Sequence, residues 1–296
     1  GKYVSMITMQ SWMYLKRFEK LREILIDNIS MINLIQIGYN SFPELNSQVA
    51  HACAFIFRNE KIKNYNGKYI GLNNGKVTAD KEQVFFERKN KDYYVNRLEE
   101  FKILPQKVYA YWASSRIREI YKISTSLSDI AEPRQGMATS DNERFLRFWY
   151  EVDSKKIGLN LPNREEAKKS KFKWFPYNKG GPYRKWYGNN EYVVNWENDG
   201  LEIKEFREYK NSTLESNMGV AGLPYIFQEN ITWSKIAQDK FSVRYQPKGY
   251  LFDVSGCCIF SDEIINKKLL GLLNTVVIKK LIDGVSPTVN YEVGTI

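Results

Sequence analysis

The chain has 296 residues, 43% hydrophobic and 26% charged, an ordinary globular content in a length that suits two compact units. No run approaches the ~18 consecutive apolar residues of a membrane span, and the opening residues lack the basic region and cleavage site of a signal peptide. One histidine, His51, and three cysteines, Cys53 and the adjacent Cys257 and Cys258, form neither a disulfide framework nor a zinc spacing and read as packing in a reducing cytoplasm. The 44 Lys+Arg against 34 Asp+Glu give a net charge of +10, which favours an anionic partner, with nucleic acid the first candidate.

In chain order, Tyr3 to Ile7 predicts a buried strand. Phe18, Leu21, Leu25 and Ile26 recur at helical spacing until Asn28 and Ser30 stop the helix. Met31 to Ile37 predicts a strand closing on Gly38, and Ala52 to Phe57 a further one after a loop that contains Phe42-Pro43. This alternation is that of the last part of an open α/β sheet, whose ligand site would lie at the strand ends of a part that precedes Gly1. Residues 73–107 are polar and read as a connector, with a turn at Asn73-Asn74-Gly75-Lys76, a solvated helix or strand within Asp80 to Glu100, and solvated carboxylates at Glu99-Glu100. An aromatic region opens at Val108 to Trp112. Short apolar runs at Tyr192 to Val194, Tyr225 to Phe227 and Gly249 to Phe252 then predict irregular β structure. Leu269, Leu272, Leu273, Val276, Val277 and Leu281 predict one amphipathic helix.

The densest chemical signal lies between Lys155 and Lys185. Lys173, Lys179, Arg184 and Lys185 stand there among many other cations, interleaved with Trp174, Tyr177, Trp186 and Tyr187. Cations neutralise phosphates, and planar side chains stack on bases or wedge between them. The competing reading is a solvated basic face over a sheet whose aromatics are core. Arg134 to Phe145, which includes Asn142 and Arg144, is a glycine-then-polar loop without the Lys-Ser/Thr ending of a nucleotide-binding loop. On spacing alone Phe42 reads as a packing anchor. No Ser/His/Asp or Cys/His arrangement is present.

Taken together, these segments resemble the restriction-modification adenine methyltransferases, most closely the PglX type of BREX phage-defence systems. Gly1 to Trp12 is similar to the sheet strand after that family's Asn-Pro-Pro-Tyr motif, and Phe18 to Arg22 to the helix that follows. Ile103-Leu104-Pro105 and Tyr111 to Ser114 resemble the approach to its recognition domain. Gly136 to Phe145 resembles its Gly-x-x-Thr-Gly-x-Asn-Glu-x-Phe turn, with Ser140 in place of the second glycine. Lys173 to Gly181 and Arg184 to Asn189 resemble segments specific to the PglX type, and Leu272-Leu273-Asn274 with Ser286 to Asn290 the late helix and turn.

The resemblance implies a fold in two parts: the C-terminal part of a Rossmann-like methyltransferase sheet over residues 1–72, and a β-rich α+β target recognition domain over 108–296. It implies a parent protein that methylates adenine at its amino nitrogen with S-adenosylmethionine in a phage-defence or restriction-modification system. Double-stranded DNA would be its partner, other defence proteins further partners, and the cytoplasm its location. The glycine-rich cofactor turn and the Asn-Pro-Pro-Tyr loop are not in these residues, so this chain alone is expected to bind no cofactor and carry no catalytic residue. The resemblance moves Phe42 towards stacking on the flipped base. It assigns DNA contact to Arg134, Asn142, Arg144, Lys173, Trp174, Tyr177, Lys179, Arg184, Lys185 and Trp186. The alternatives are a DNA-binding specificity module that never methylates and part of a fused restriction-methylase.

Overall fold

Alternation of core-facing and outward residues organises the first sheet. The computed structural model describes residues 2–42, 50–73, 80–87, 93–212, 221–237, 240–285, 290–294 and 296, without the side chains of 210–212. Pro43, the Asn74-Gly75-Lys76 part of the expected turn and Ser286 to Val289 lie outside the described residues. Two compact units divide after Ser124. Gly1–Ser124 with Asp283–Pro287 and Thr295 form one, and Thr125–Ile282 with Thr288–Gly294 and Ile296 the other.

The first unit runs β1 (Tyr3–Met9), α1 (Glu19–Asn28), β2 (Ser30–Gly38), β3 (Ala52–Arg58), β4 (Asn66–Gly71), α2 (Lys81–Phe86), β5 (Tyr93–Arg97) and α3 (Ser115–Ile123). Its sheet has the order β1-β3-β2-β4-β5. β3 is antiparallel to both β1 and β2, so those two run the same way, joined through α1, with β3 inserted between them. One face, with Leu34, Cys53 and Tyr69, packs on Ile26 of α1 and on Phe101 and Tyr109. Arg22 is wholly buried beneath that core, where its guanidinium donates to the carbonyls of Trp12, Leu15 and Gln106. The other face forms an open groove of about 680 Å³, lined by Ile7, Ile35, Ile56, Lys68, Ile70 and Tyr93.

Three expectations change here. β1 forms as predicted but is an exposed edge, with Tyr3 64%, Met6 53% and Ile7 59% accessible; among the described residues it pairs with β3 alone. The segment read as a connector supplies β5, which completes the sheet against β4, and Glu99 and Glu100 pair with Lys61 and with Arg97 and Arg118. Val108 to Tyr111 and Ala113 are buried in this same core, where the amide of Tyr109 donates to the carbonyl of Met13 and Asn96 to that of Tyr111. The boundary between units therefore falls later than residue 107.

The second unit contains β6 (Glu132–Arg134), α4 (Asn142–Phe145), β7 (Leu146–Phe148), α5 (Arg164–Lys169), β8 (Trp174–Asn178), β9 (Tyr192–Asn195), α6 (Glu197–Ser212), β10 (Asn230–Ser234), β11 (Val243–Gln246), β12 (Leu251–Phe252), β13 (Gly256–Phe260) and α7 (Glu263–Leu273). α8 (Val276–Val285) follows and runs across the division between units. Two four-stranded sheets form, β11-β10-β13-β6 and β12-β8-β9-β7. One core gathers Phe145, Phe175, Trp196, Phe227 and Phe252, and a second sets Ile231, Trp233, Val243 and Ile259 against Leu269 and Leu273 of α7. This unit is mixed α/β structure. Tyr225 to Phe227 is not a strand: Leu223–Tyr225 is a 3-10 turn, and Phe227 has φ 68°.

The single late helix is two helices. Asn274 turns its side chain onto β11, where Oδ1 accepts from the amide of Val243 at 3.2 Å and Nδ2 donates to its carbonyl at 2.9 Å. This side chain pairs with a strand edge as backbone would, and the helix ends to let it do so. Leu272, Val276 and Val277 are left exposed, whereas Leu269 and Leu273 are buried.

Candidate nucleic-acid interface

In the second unit, the Gly136 loop sets the position of several predicted residues. A Cβ on Gly136 would lie 2.0 Å from the carbonyl oxygen of Phe252, so only glycine permits this approach, and the Met137 amide donates to that same carbonyl. Ser140 has φ 64°, the left-handed conformation that glycine adopts without strain. Asp141 then caps α4 by accepting from the amide of Arg144 at 3.0 Å. Asn142 is placed to accept from the hydroxyl of Thr139 at 2.7 Å and from the Lys179 ammonium at 3.2 Å.

Lys179 and Tyr177 converge on a side chain that the sequence reading missed, Asp253. It is 1% exposed, and its Oδ2 receives Lys179 at 2.9 Å and the Tyr177 hydroxyl at 2.8 Å. Burial, with the Asp253 charge beside it, pushes the Tyr177 phenol well above its ordinary range and keeps it a donor. Tyr177 is fully buried, so its ring presents no face to a ligand, against the expectation of DNA contact. Lys179 is spent largely on Asp253.

The other predicted cations divide by whether an acid already holds them. Arg134 meets Glu132 at 2.5 Å and lies 4.9 Å from the Tyr225 ring centroid. Arg144 meets Glu202 at 2.7 Å and lies over the Phe145 and Phe206 rings. Lys173 reaches Glu197 only at 3.9 Å and stands over the half-buried Trp174. Lys185 donates to the carbonyl of Asn274 at 2.6 Å. The Arg184 side chain is exposed and has no ion pair or hydrogen bond among the described residues, and the same holds for the side chains of Lys155, Lys156, Lys168 and Lys171.

Trp186 and Tyr187 follow Arg184 and are 54% and 61% exposed. Trp186 is held at φ 72° by two hydrogen bonds to β11: its amide donates to Val243 at 3.1 Å and its carbonyl accepts from Tyr245 at 2.8 Å. A bulky residue in that conformation is a genuine outlier. Here it aims a large ring out from a buried frame, next to an unpaired guanidinium. Planar surface and free positive charge on one loop are what stacking and phosphate contact require.

In the first unit, Phe42 lies in the loop where β2 ends. Gly38 and Asn40, at φ 74° and 54°, turn the chain, and the Ser41 hydroxyl donates to the Gly38 carbonyl while accepting from the Ala52 amide at 3.1 Å. Phe42 is 38% exposed. At the same ends of β1 and β2, Gln36 donates to Gln10 and Tyr14 and accepts from Tyr111. Gln10 in turn bonds His51 Nδ1 at 3.2 Å, and the His51 ring lies 4.0 Å from that of Tyr39. The three cysteines are buried and free. Burial pushes the Cys53 and Cys257 thiols up to about 11 and 12, which removes them as nucleophiles near neutral pH.

Comparison with known proteins now adds a second kind of information. No family model matches the chain. It is 35% identical over 301 residues to the adenine-specific methyltransferase PglX of Lacticaseibacillus casei (strain Zhang), a match that covers 99% of this chain and 24% of that protein. The adenine-specific methyltransferase BrxX of Escherichia coli O9:H4 (strain HS) is 31% identical over 295 residues, covering 98% of this chain and 23% of its own length. The chain is a relative of the PglX and BrxX adenine-specific methyltransferases. It spans about a quarter of the length of these curated relatives. A structure of the Type IIL restriction-modification enzyme MmeI in complex with DNA covers 99% of this chain and 38% of the MmeI chain, at a TM-score of 0.57 and 10% identity, a likeness of fold.

Proposed function

We propose that this PglX/BrxX relative supplies DNA recognition to a larger S-adenosylmethionine-dependent adenine-N6 DNA methyltransferase of a BREX or restriction-modification system. The observation that carries this reading is the loop of Arg184, Trp186 and Tyr187, exposed and held on β11, in a chain whose full length matches adenine-specific methyltransferases. The first unit is then the last part of the methyltransferase sheet, and the second the target recognition domain. The exposed apolar edge β1 and the open groove beside it support that assignment, since contiguous apolar surface of this kind marks an interface. Double-stranded DNA is the partner, other defence proteins are further ones, and the cytoplasm is the location.

The cofactor does not fit this chain. A glycine-rich turn and an Asn-Pro-Pro-Tyr loop, the parts that the family resemblance assigns to holding cofactor and adenine, are absent from the 296 residues. S-adenosylmethionine is therefore assigned to the parent protein, and the isolated chain is inactive.

Fluorescence anisotropy of labelled duplex DNA over a salt series tests the recognition role, with calorimetric titration of S-adenosylmethionine alongside. DNA binding whose log–log salt slope becomes shallower by about 0.9 for each phosphate contact removed supports it. No DNA binding overturns it, and saturable cofactor binding by the isolated chain overturns the assignment of the cofactor to the parent protein.

A further inference from the structure

Among the described residues two arginines, Arg22 and Arg244, are completely buried, and they differ in one respect. Arg22 has every nitrogen of its guanidinium bonded to a backbone carbonyl. Arg244, in β11, is equally inaccessible, but only its Nη2 has a contact, a long one of 3.4 Å to the hydroxyl of Ser234. Its Nε and Nη1 have no partner. Burial pushes its pKa down to about 10, with Cys258 and Glu191 acting in the other direction and Arg184 adding to the fall. Among the described residues no carboxylate forms an ion pair with it.

Its surroundings are polar. Arg244 stands opposite Thr232 on β10, and on that face Thr232 accepts from Asn178 while Ser234 donates to the carbonyl of Gly181. Two residues along β11, Gln246 donates to Asn190 Oδ1 at 3.3 Å. Asn190 Nδ2 and the Oδ1 of buried Asn189 are also without partners. A buried donor with no acceptor is costly, and such groups are rare in a finished core. Four such atoms, on Arg244, Asn189 and Asn190, lie in or beside one loop, Gly180 to Asn190, which also carries the exposed Arg184, Trp186 and Tyr187. That loop holds two non-glycine residues in the left-handed region, Trp186 at 72° and Asn189 at 61°. Backbone strain of this kind concentrates in segments that serve ligands.

We propose that Arg244 is a DNA-reading residue, covered by the loop Gly180 to Asn190 and engaged by nucleic-acid acceptor atoms when DNA lifts that loop. The inference rests on the DNA-recognition reading above and adds a residue and a movement to it. The matching chemistry is a pair of acceptors, either the O6 and N7 edge of a guanine or two oxygens of a phosphate. Trp186 is the point where DNA would act: its ring is outside, and its main chain is the cover bonded to the residues on either side of Arg244.

The test uses the whole chain and a pool of duplex DNA with a randomised central segment, sequencing the bound fraction for wild type, Arg244→Lys and Arg244→Gln. A base edge predicts a tenfold or greater loss of preference at one base pair, with bulk affinity and salt slope kept. A phosphate predicts instead a uniform loss across sequences in Arg244→Gln and a slope shallower by about 1. Either outcome supports the site and identifies the source of the acceptors. Folded variants with wild-type affinity and preference overturn it while leaving DNA recognition intact, and a wild type that binds no DNA overturns both. Should both variants fail to fold, hydrogen exchange on the wild-type chain decides. The Tyr245 amide, bonded to the Trp186 carbonyl, should exchange faster in the DNA complex, and unchanged or slower exchange overturns the proposal.

Discussion

The Lys179 ammonium stands 2.9 Å from a carboxylate oxygen of Asp253 and shares that oxygen with the hydroxyl of Tyr177. Asp253 Oδ1 additionally accepts from the Ser255 amide at 2.8 Å. Within the densest run of basic and aromatic residues, Lys179 and Tyr177 are therefore held from within by one acid. Removing Lys179 would leave a buried carboxylate with its neutral donors but no counter-charge. Breaking a buried pair from one side costs about 3–5 kcal/mol, and the partial exposure of Lys179 reduces that figure. Lys179→Met should accordingly lower the melting temperature clearly, whereas Arg184→Gln should leave it unchanged and weaken DNA binding. Thermal melts paired with anisotropy check this, and equal melting temperatures for the two variants would refute the internal role of Lys179.

Ser140 gives a prediction of opposite sign. A non-glycine residue in the left-handed region costs roughly 1–2 kcal/mol, and part of that is returned because glycine is freer when unfolded. Ser140→Gly should stabilise the chain by up to about 1 kcal/mol and leave DNA affinity unchanged. A shift in the midpoint of urea denaturation, with constant slope, is the measurement. A destabilised variant would mean that the hydroxyl contributes more than the backbone loses.

How much of this could be read beforehand depends on the range of the interaction. The helix at Glu19 and the strands at Ser30 and Ala52 follow from local periodicity and stop signals, and they form where that periodicity puts them. The exposure of β1 could not be read, because apolar alternation shows which residues prefer burial and not whether a neighbour exists to bury them. Leu269 to Leu281 has a helical pattern throughout, but Asn274 pairs with Val243, distant in sequence, and breaks it. Of the candidate interface residues, Arg184 and Trp186 were legible as charge and aromatic surface. Asp253 and Arg244 were not, since one lies in a plain turn and the other in a strand of mixed pattern. Their significance comes from the groups that the sheets bring to them, or leave away from them.

Acid should act through Asp199. Burial opposes its charge, but hydrogen bonds from Arg164, at 2.7 and 2.5 Å, and from Lys204, at 2.7 Å, outweigh that and hold its carboxyl below the usual range. A folded pKa below the unfolded value, near ~3.9, gives stability that is fully present above that value and lost as pH falls through the folded one. Asp199→Asn should therefore melt lower than wild type at neutral pH, with the gap closing below about pH 4. A gap that stays constant down to pH 2.5 would show that Asp199 contributes through packing alone.

Phe42 must be tested in a full-length methyltransferase that contains this segment. Its ring is 38% exposed at the end of β2, on a turn that Ser41 ties to Gly38 and Ala52. A fully buried phenylalanine typically costs ~3–5 kcal/mol of stability when cut to alanine, and this partial exposure lowers that figure. If the ring stacks on the flipped adenine, Phe42→Ala removes a contact worth about 1–3 kcal/mol, and methylation should fall roughly tenfold while cofactor affinity and melting temperature hold. A large drop in melting temperature, with activity following the folded fraction, would instead make Phe42 a structural residue. 2-Aminopurine at the target position separates stacking from an indirect effect. Its fluorescence should be quenched against Phe42 in the wild-type complex and recover in the alanine variant, because quenching requires ring-on-ring contact. A base flipped equally in both complexes with equal fluorescence would place the stacking partner elsewhere, and the exposed ring at the end of β2 would then need a different ligand.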